Sequence, residues 1–112
     1  MANVYDISIE QGSSFNLTLT AKDSNGNLLN LNGYNARGSI KYSYGSTGYL
    51  INLNPVITNP TSGLITISVP ASGTSSLPVT KAVYDIEVYN SNNYTFKAVR
   101  GYVNVIPEVT NL

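Results

Sequence analysis

The sequence predicts an all-β fold: a single antiparallel β-sandwich of about seven strands, immunoglobulin-like in architecture, with a small closed β-barrel as the alternative. Three observations carry this expectation. Apolar and polar residues alternate with the period of half-buried strands in run after run. Turn residues, Asn-Gly and Asx-rich clusters above all, interrupt those runs roughly every eight to twelve residues. No stretch repeats its apolar residues at the spacing of an amphipathic helix.

The elements follow in order. Tyr5, Ile7 and Ile9 alternate with Asp6, Ser8 and Glu10 in a first strand, which Gln11-Gly12-Ser13-Ser14 breaks. Phe15, Leu17, Leu19 and Ala21 alternate with Asn16, Thr18 and Thr20 in a second. Residues 23–27, Asp-Ser-Asn-Gly-Asn, form a turn with a mechanism: Asx side chains bond their own backbone, and glycine accepts positive φ. Leu28, Leu29 and Leu31 lead to a second turn dipeptide, Asn32-Gly33. From Ala36 onward, Ile40, Tyr42 and Tyr44 share one face, with Arg37, Ser39, Lys41 and Ser43 on the other. The Gly45-Ser46-Thr47-Gly48 connection precedes a strand over residues 49–53. Pro55 and Pro60 keep the next segment irregular or on a sheet edge. Ile65, Ile67 and Val69 alternate with Leu64, Thr66 and Ser68, and Pro70 stops the strand. Residues 71–80 offer hydroxyl caps and hardly any helix formers, so they allow one short helical turn.

The final hairpin sets its own register. With Ser91-Asn92-Asn93 as a three-residue loop, Val88 opposes Phe96, Glu87 opposes Lys97 and Ile86 opposes Ala98. Apolar then meets apolar and acid meets base, with Asn93 in the left-handed position. Apolar parity changes further on, from Phe96 and Ala98 to Val103 and Val105, and a β-bulge is expected at Gly101. The predicted core comprises Phe15, Leu17, Leu19, Ile40, Ile65, Ile67, Tyr84, Ile86, Val88 and Phe96.

Composition narrows the function. The 112 residues suit one domain, taken as residues 1–112. Only 11% are charged, against about a quarter in typical domains. Six basic residues balance six acidic ones, so no field steers the protein to nucleic acid or to an anionic membrane. Neither cysteine nor histidine is present, which removes the commonest nucleophile–base pairs and metal ligands. The first residues lack a basic region followed by an apolar core, so the expectation is a soluble protein made in the cytoplasm without a secretory signal. No catalytic, cofactor-binding or metal-binding residues are assigned.

Candidate chemistry is sparse. Asp85 and Glu87 place two carboxylates on one strand face, and cross-strand pairing with Lys97 is the expectation ahead of acid–base catalysis. The Asp23 turn departs from a calcium loop, since its glycine comes too early and no bidentate glutamate follows. Nine tyrosines in so small a chain are a richer signal. Tyr42, Tyr44 and Tyr49 flank the Gly-rich connection and form a candidate aromatic surface for a sugar or a protein. At the other end, Pro107 cannot donate a ladder hydrogen bond and terminates pairing. Pro107, Glu108, Val109, Thr110 and Leu112 then form a candidate docking segment with apolar groups to bury on a partner.

Residues 5–40, with Glu10-Gln11-Gly12, the 23–27 turn and the 31–37 Leu-Asn-Gly-Tyr-Asn-Ala-Arg segment, carry a likeness. The chain resembles small tailed-bacteriophage virion proteins, including the N-terminal domain of phage baseplate upper proteins. Val83-Tyr84-Asp85-Ile86-Glu87-Val88 and the closing Pro107-Glu108-Val109-Thr110 resemble the end of the same pattern, whereas residues 42–60 are this chain's own. The resemblance implies a β-sandwich without catalytic residues, acting as a structural component of a neck, tail, baseplate or head surface. It further implies localisation in the virion, other virion proteins as partners, and several copies in a symmetric particle or homo-oligomer. A carbohydrate- or receptor-binding module is the second expectation.

Overall fold

The computed structural model describes residues 3–23, 25–43, 45, 48–78 and 80–107. Among them nine strands form: β1 (Asn3–Val4), β2 (Ile7–Glu10), β3 (Phe15–Thr20), β4 (Tyr34–Lys41), β5 (Ile51–Asn52), β6 (Val56–Asn59), β7 (Leu64–Val69), β8 (Lys81–Asn90) and β9 (Thr95–Ile106). A single 3-10 turn, Pro60–Ser62, and one α-helical turn, α1 (Ala71–Thr74), complete the fold. The strands make two sheets. One runs β1-β9-β8-β4-β5, with β2 also on β9; the other runs β3-β7-β6. The all-β sandwich class is as the alternation predicts.

The core lies between the sheets. Ile9, Leu31, Ile40, Leu53, Ile65, Ile67, Ile86, Val88 and Val103 are fully buried. Phe15, Leu17, Leu19 and Phe96 join the cluster half-buried, because β3 is a sheet edge and Phe96 lies close to the hairpin end. Three segments depart from their expected extents. The first strand begins at Ile7 and not at Tyr5, which lies exposed before it. The predicted strand over 49–53 pairs only at Ile51 and Asn52. Tyr42, expected to share an inward face with Ile40, lies past the end of β4 and is 54% exposed.

The hairpin matches its predicted register near the loop. Val88 pairs with Phe96 and Glu87 with Lys97, and Asn93 has φ 61°. Asn90 locks the turn, its Oδ1 accepting the N–H groups of Asn92 and Tyr94 at 3.0 Å each. Beyond that the expectation needs correction. Ile86 pairs with Val99 and not Ala98, because the bulge falls at Ala98 and not at Gly101. One extra residue anywhere between Phe96 and Val103 repairs the parity. Ala98 is small enough to be buried beside Val99, and Gly101 is required for a different contact.

That contact holds the N-terminal arm. β1 and β2 add to β9 in parallel, an arrangement no local pattern announced. Between them the chain kinks at Tyr5-Asp6. Tyr5 N–H donates to the Arg100 carbonyl at 2.8 Å, and Asp6 Oδ1 accepts the Tyr102 N–H at 2.9 Å. The buried Tyr84 hydroxyl donates to the Tyr5 carbonyl at 2.5 Å. Burial first, then the nearby Tyr5 and Asp6, push the Tyr84 phenol far above its usual range.

The Gln11-Gly12 turn has a comparable anchor. Gly12 takes φ 85°, and its N–H donates to Thr74 Oγ1 at 3.1 Å. Thr74, fully buried in α1, donates in turn to the Ser13 carbonyl at 2.8 Å. Gln11 Nε2 donates to the Leu77 carbonyl at 2.8 Å. Thr74→Val keeps the shape and takes the hydroxyl away from three backbone groups, the Gly12 N–H and the Ser13 and Ala71 carbonyls. It is expected to cost about 1–3 kcal/mol, measurable by chemical denaturation. A loss within experimental error would show that water replaces the hydroxyl.

Candidate functional site

Residues of odd number on β4 and β8 face away from the core and build an open sheet face. Antiparallel pairing sets Arg37 opposite Glu87 and Ser39 opposite Asp85, and the hairpin sets Glu87 opposite Lys97. A row of base, acid and base therefore crosses three adjacent strands. Arg37 Nε donates to Glu87 Oε1 at 2.5 Å, and a second guanidinium nitrogen meets the same oxygen. Lys97 Nζ reaches Glu87 Oε2 at 2.6 Å and Asp85 Oδ2 at 3.2 Å. Two cation–ring stacks flank the row: the Arg37 guanidinium is 4.4 Å from the Tyr89 ring centre, and Lys81 Nζ is 4.5 Å from that of Tyr102.

This face carries a groove of about 370 Å3, lined by Arg37, Ser39, Asn52, Asp85, Glu87 and Lys97 among others. Tyr49 stands in its lining with 61% of its surface exposed. The expected pairing of Asp85 and Glu87 with Lys97 is present; Arg37, on the neighbouring strand, completes it. Arg37 was visible as an outward residue of its strand, but its partner depends on the long-range β4–β8 register. No local signal supplies that.

The charges in the row stabilise one another. The hydrogen bond from Lys97, aided by Arg37, holds the Glu87 carboxyl below its usual range despite partial burial. Desolvation pulls the Lys97 ammonium down, and its hydrogen bonds to Glu87 and Asp85 outweigh that and raise it. A general acid needs the opposite shift for Glu87. The sign for stability is definite. Folded Glu87 binds its proton less readily than the unfolded chain, so the pair's contribution is complete above the unfolded value of about 4.3. It disappears as pH falls through the lower folded value. Denaturant titrations in this acidic window are expected to show a shallower stability-versus-pH slope for Glu87→Gln than for the native chain. An unchanged slope would mean that Glu87 contributes nothing.

The other candidates are scattered. Tyr42 is exposed, Tyr49 lines the groove, and Tyr44 falls outside the described residues. Pro107 follows β9 directly, while Glu108, Val109, Thr110 and Leu112 fall outside the described residues. Asp23 Oδ1 accepts the N–H groups of Asn25 and Asn27 at 2.9 Å each, the geometry of a self-capped turn. Among the described residues no group of three or more Asp or Glu side chains is placed to hold a metal. One cluster had no sequence signal: Tyr34, Tyr94 and Phe96 meet edge-on or tilted, with ring centres 6.0–6.4 Å apart.

No family model and no curated protein matches the chain. Among solved structures, CopC from Methylosinus trichosporium OB3b is similar over 88% of this chain and 98% of its own, at 16% identity and a TM-score of 0.43. A family 123 glycoside hydrolase from Clostridium perfringens is similar over 98% of this chain and 24% of its own, at 12% identity and a TM-score of 0.41. At these scores neither likeness bears on function.

Proposed function

We propose that the chain is a bacteriophage virion structural component, of a neck, tail, baseplate or head surface, that works by docking to other virion proteins. One observation carries the reading: the residues that resemble the virion proteins are the joints of the sandwich. Gln11-Gly12 is pinned to α1, Asp23 caps its own turn, and Tyr84 anchors the N-terminal arm. The residues that carry the resemblance are therefore scaffold, the part on which a shape-based function would depend. The docking segment proposed is Pro107 with Glu108, Val109, Thr110 and Leu112, which follow β9 in sequence. Mass spectrometry of purified particles tests the reading, since a structural part must be present in many copies. Deleting residues 107–112 tests the segment: the shortened chain should fold and fail to enter particles, and assembly at normal copy number would refute it.

A second reading has an observation of its own. The exposed Tyr49 side chain shares the groove's lining with Asn52, Ser39 and Asp85, a stacking surface in the same groove as polar groups. Carbohydrate recognition uses that combination. Binding on a glycan array that is lost in Tyr49→Ala would favour it.

A further inference from the structure

We propose that the free edge of β3 is a homodimer interface, at which β3 of a second copy adds antiparallel to β3 of the first. Among the described residues, the four sheet edges differ in how open they are to pairing. β5 is two residues long. β6 lies between Pro55 and Pro60, with an irregular register between Ile57 and Asn59. The β1–β2 edge is broken by the Tyr5-Asp6 kink. Each carries a feature that discourages pairing with another chain. β3 carries none: its six residues, Phe-Asn-Leu-Thr-Leu-Thr, hold no charge and no proline, and they pair with β7 without a break in register. Among the described residues, β7 is the only strand that neighbours it.

The chemistry of the edge specifies its partner. Phe15, Leu17 and Leu19 face inward half-covered, while Asn16 and Thr18 face outward and are exposed. An added strand must therefore alternate apolar residues inward with uncharged polar residues outward. β3 itself has this pattern, and it matches its own reverse. With Leu17 on the twofold axis, Phe15 of one copy faces Leu19 of the other, and Asn16 faces Thr18. The two three-stranded sheets then join into one continuous sheet. Beside Leu19, between β3 and β1, lies a slot of about 190 Å3 lined by Val4, Tyr5, Leu19, Ala21, Ile65 and Val99. This register brings Phe15 of the second copy next to that opening. Charge raises no obstacle, since neither strand bears any.

The dimer is independent of the virion reading, because it is expected of the purified chain alone. Sedimentation of the full chain across micromolar to millimolar concentrations should show a monomer–dimer equilibrium. The double variant Asn16→Lys, Thr18→Lys sets like charges opposite each other twice, and should raise the dissociation constant about tenfold or more while the monomer still folds, although it also removes the Asn16–Ser68 and Thr18–Thr66 contacts. Because the chain has no native cysteine, crosslinking gives a second readout that does not depend on how that variant folds. Mixing Asn16→Cys with Thr18→Cys protein under oxidising conditions should give mainly the mixed disulfide dimer. A chain monomeric at every concentration, a folded lysine variant that dimerises as before, or no mixed crosslink would each overturn the proposal.

Discussion

Ile86→Ala is expected to destabilise the protein by about 2–5 kcal/mol, a large share of the 5–15 kcal/mol that holds a typical domain together. Ile86 is fully buried near the middle of β8, paired with Gly38 on one side and Val99 on the other. Its side chain occupies the space that Gly38 leaves: a Cβ at position 38 would lie 2.7 Å from Ile86 Cδ1. Truncation therefore opens a void on a rigid central pair of strands, where little can collapse into it. Nor does enlarging Gly38 refill the void, because the Asp85 carbonyl oxygen stands 2.6 Å from the same Cβ position. Urea denaturation should show a lower midpoint at unchanged slope. A loss below about 1 kcal/mol would mean that the core repacks far more freely than close-packed interiors do.

The position of Ile86 was legible in the sequence, and the contrast with what was not is informative. Alternation in β3, β7 and β8 reports which side chains face in, because a strand's two faces are encoded by adjacent residues. The hairpin loop was legible for the same reason: Asn93, the charge match of Glu87 with Lys97, and the apolar match of Val88 with Phe96 are all local. Parallel addition of β1 and β2 to β9 joins the chain's two ends, and nothing within a window of ten residues encodes it. The bulge shows the boundary between the two cases. Parity demanded an extra residue before Val103, so its existence could be inferred. Its placement at Ala98 leaves Gly101 in register with Tyr84 and close to Tyr5, an approach from the other end of the chain that no local pattern encodes. For the open face the same limit applies. Asp85, Glu87 and Lys97 belong to one hairpin and were paired correctly, whereas Arg37 and Asn52 reach the groove through non-local registers.

Gly101→Ala is expected to loosen the N-terminal arm selectively, at a cost of about 1–3 kcal/mol for the overpacking. A methyl group at position 101 would lie 2.7 Å from the Tyr5 carbonyl carbon, nearer still to its oxygen, and 2.9 Å from Asp6 Oδ1. The first two of these are backbone atoms, so no side-chain rotation relieves the crowding. The arm must move outward instead. As it moves, it strains three hydrogen bonds made around the kink: Tyr5 N–H to Arg100, Tyr102 N–H to Asp6, and the Tyr84 hydroxyl to Tyr5. The Tyr84 bond matters most, because the Tyr84 side chain is buried. The β4–β8 pairing lies on the far side of β8 from Gly101 and should be unaffected. Hydrogen exchange separates the outcomes: the Tyr5 and Tyr102 amides should lose protection while those of β4 and β8 keep it. Unchanged protection at Tyr102, with stability within about 0.5 kcal/mol of the native chain, would show that the arm accommodates a side chain there and that glycine is not required.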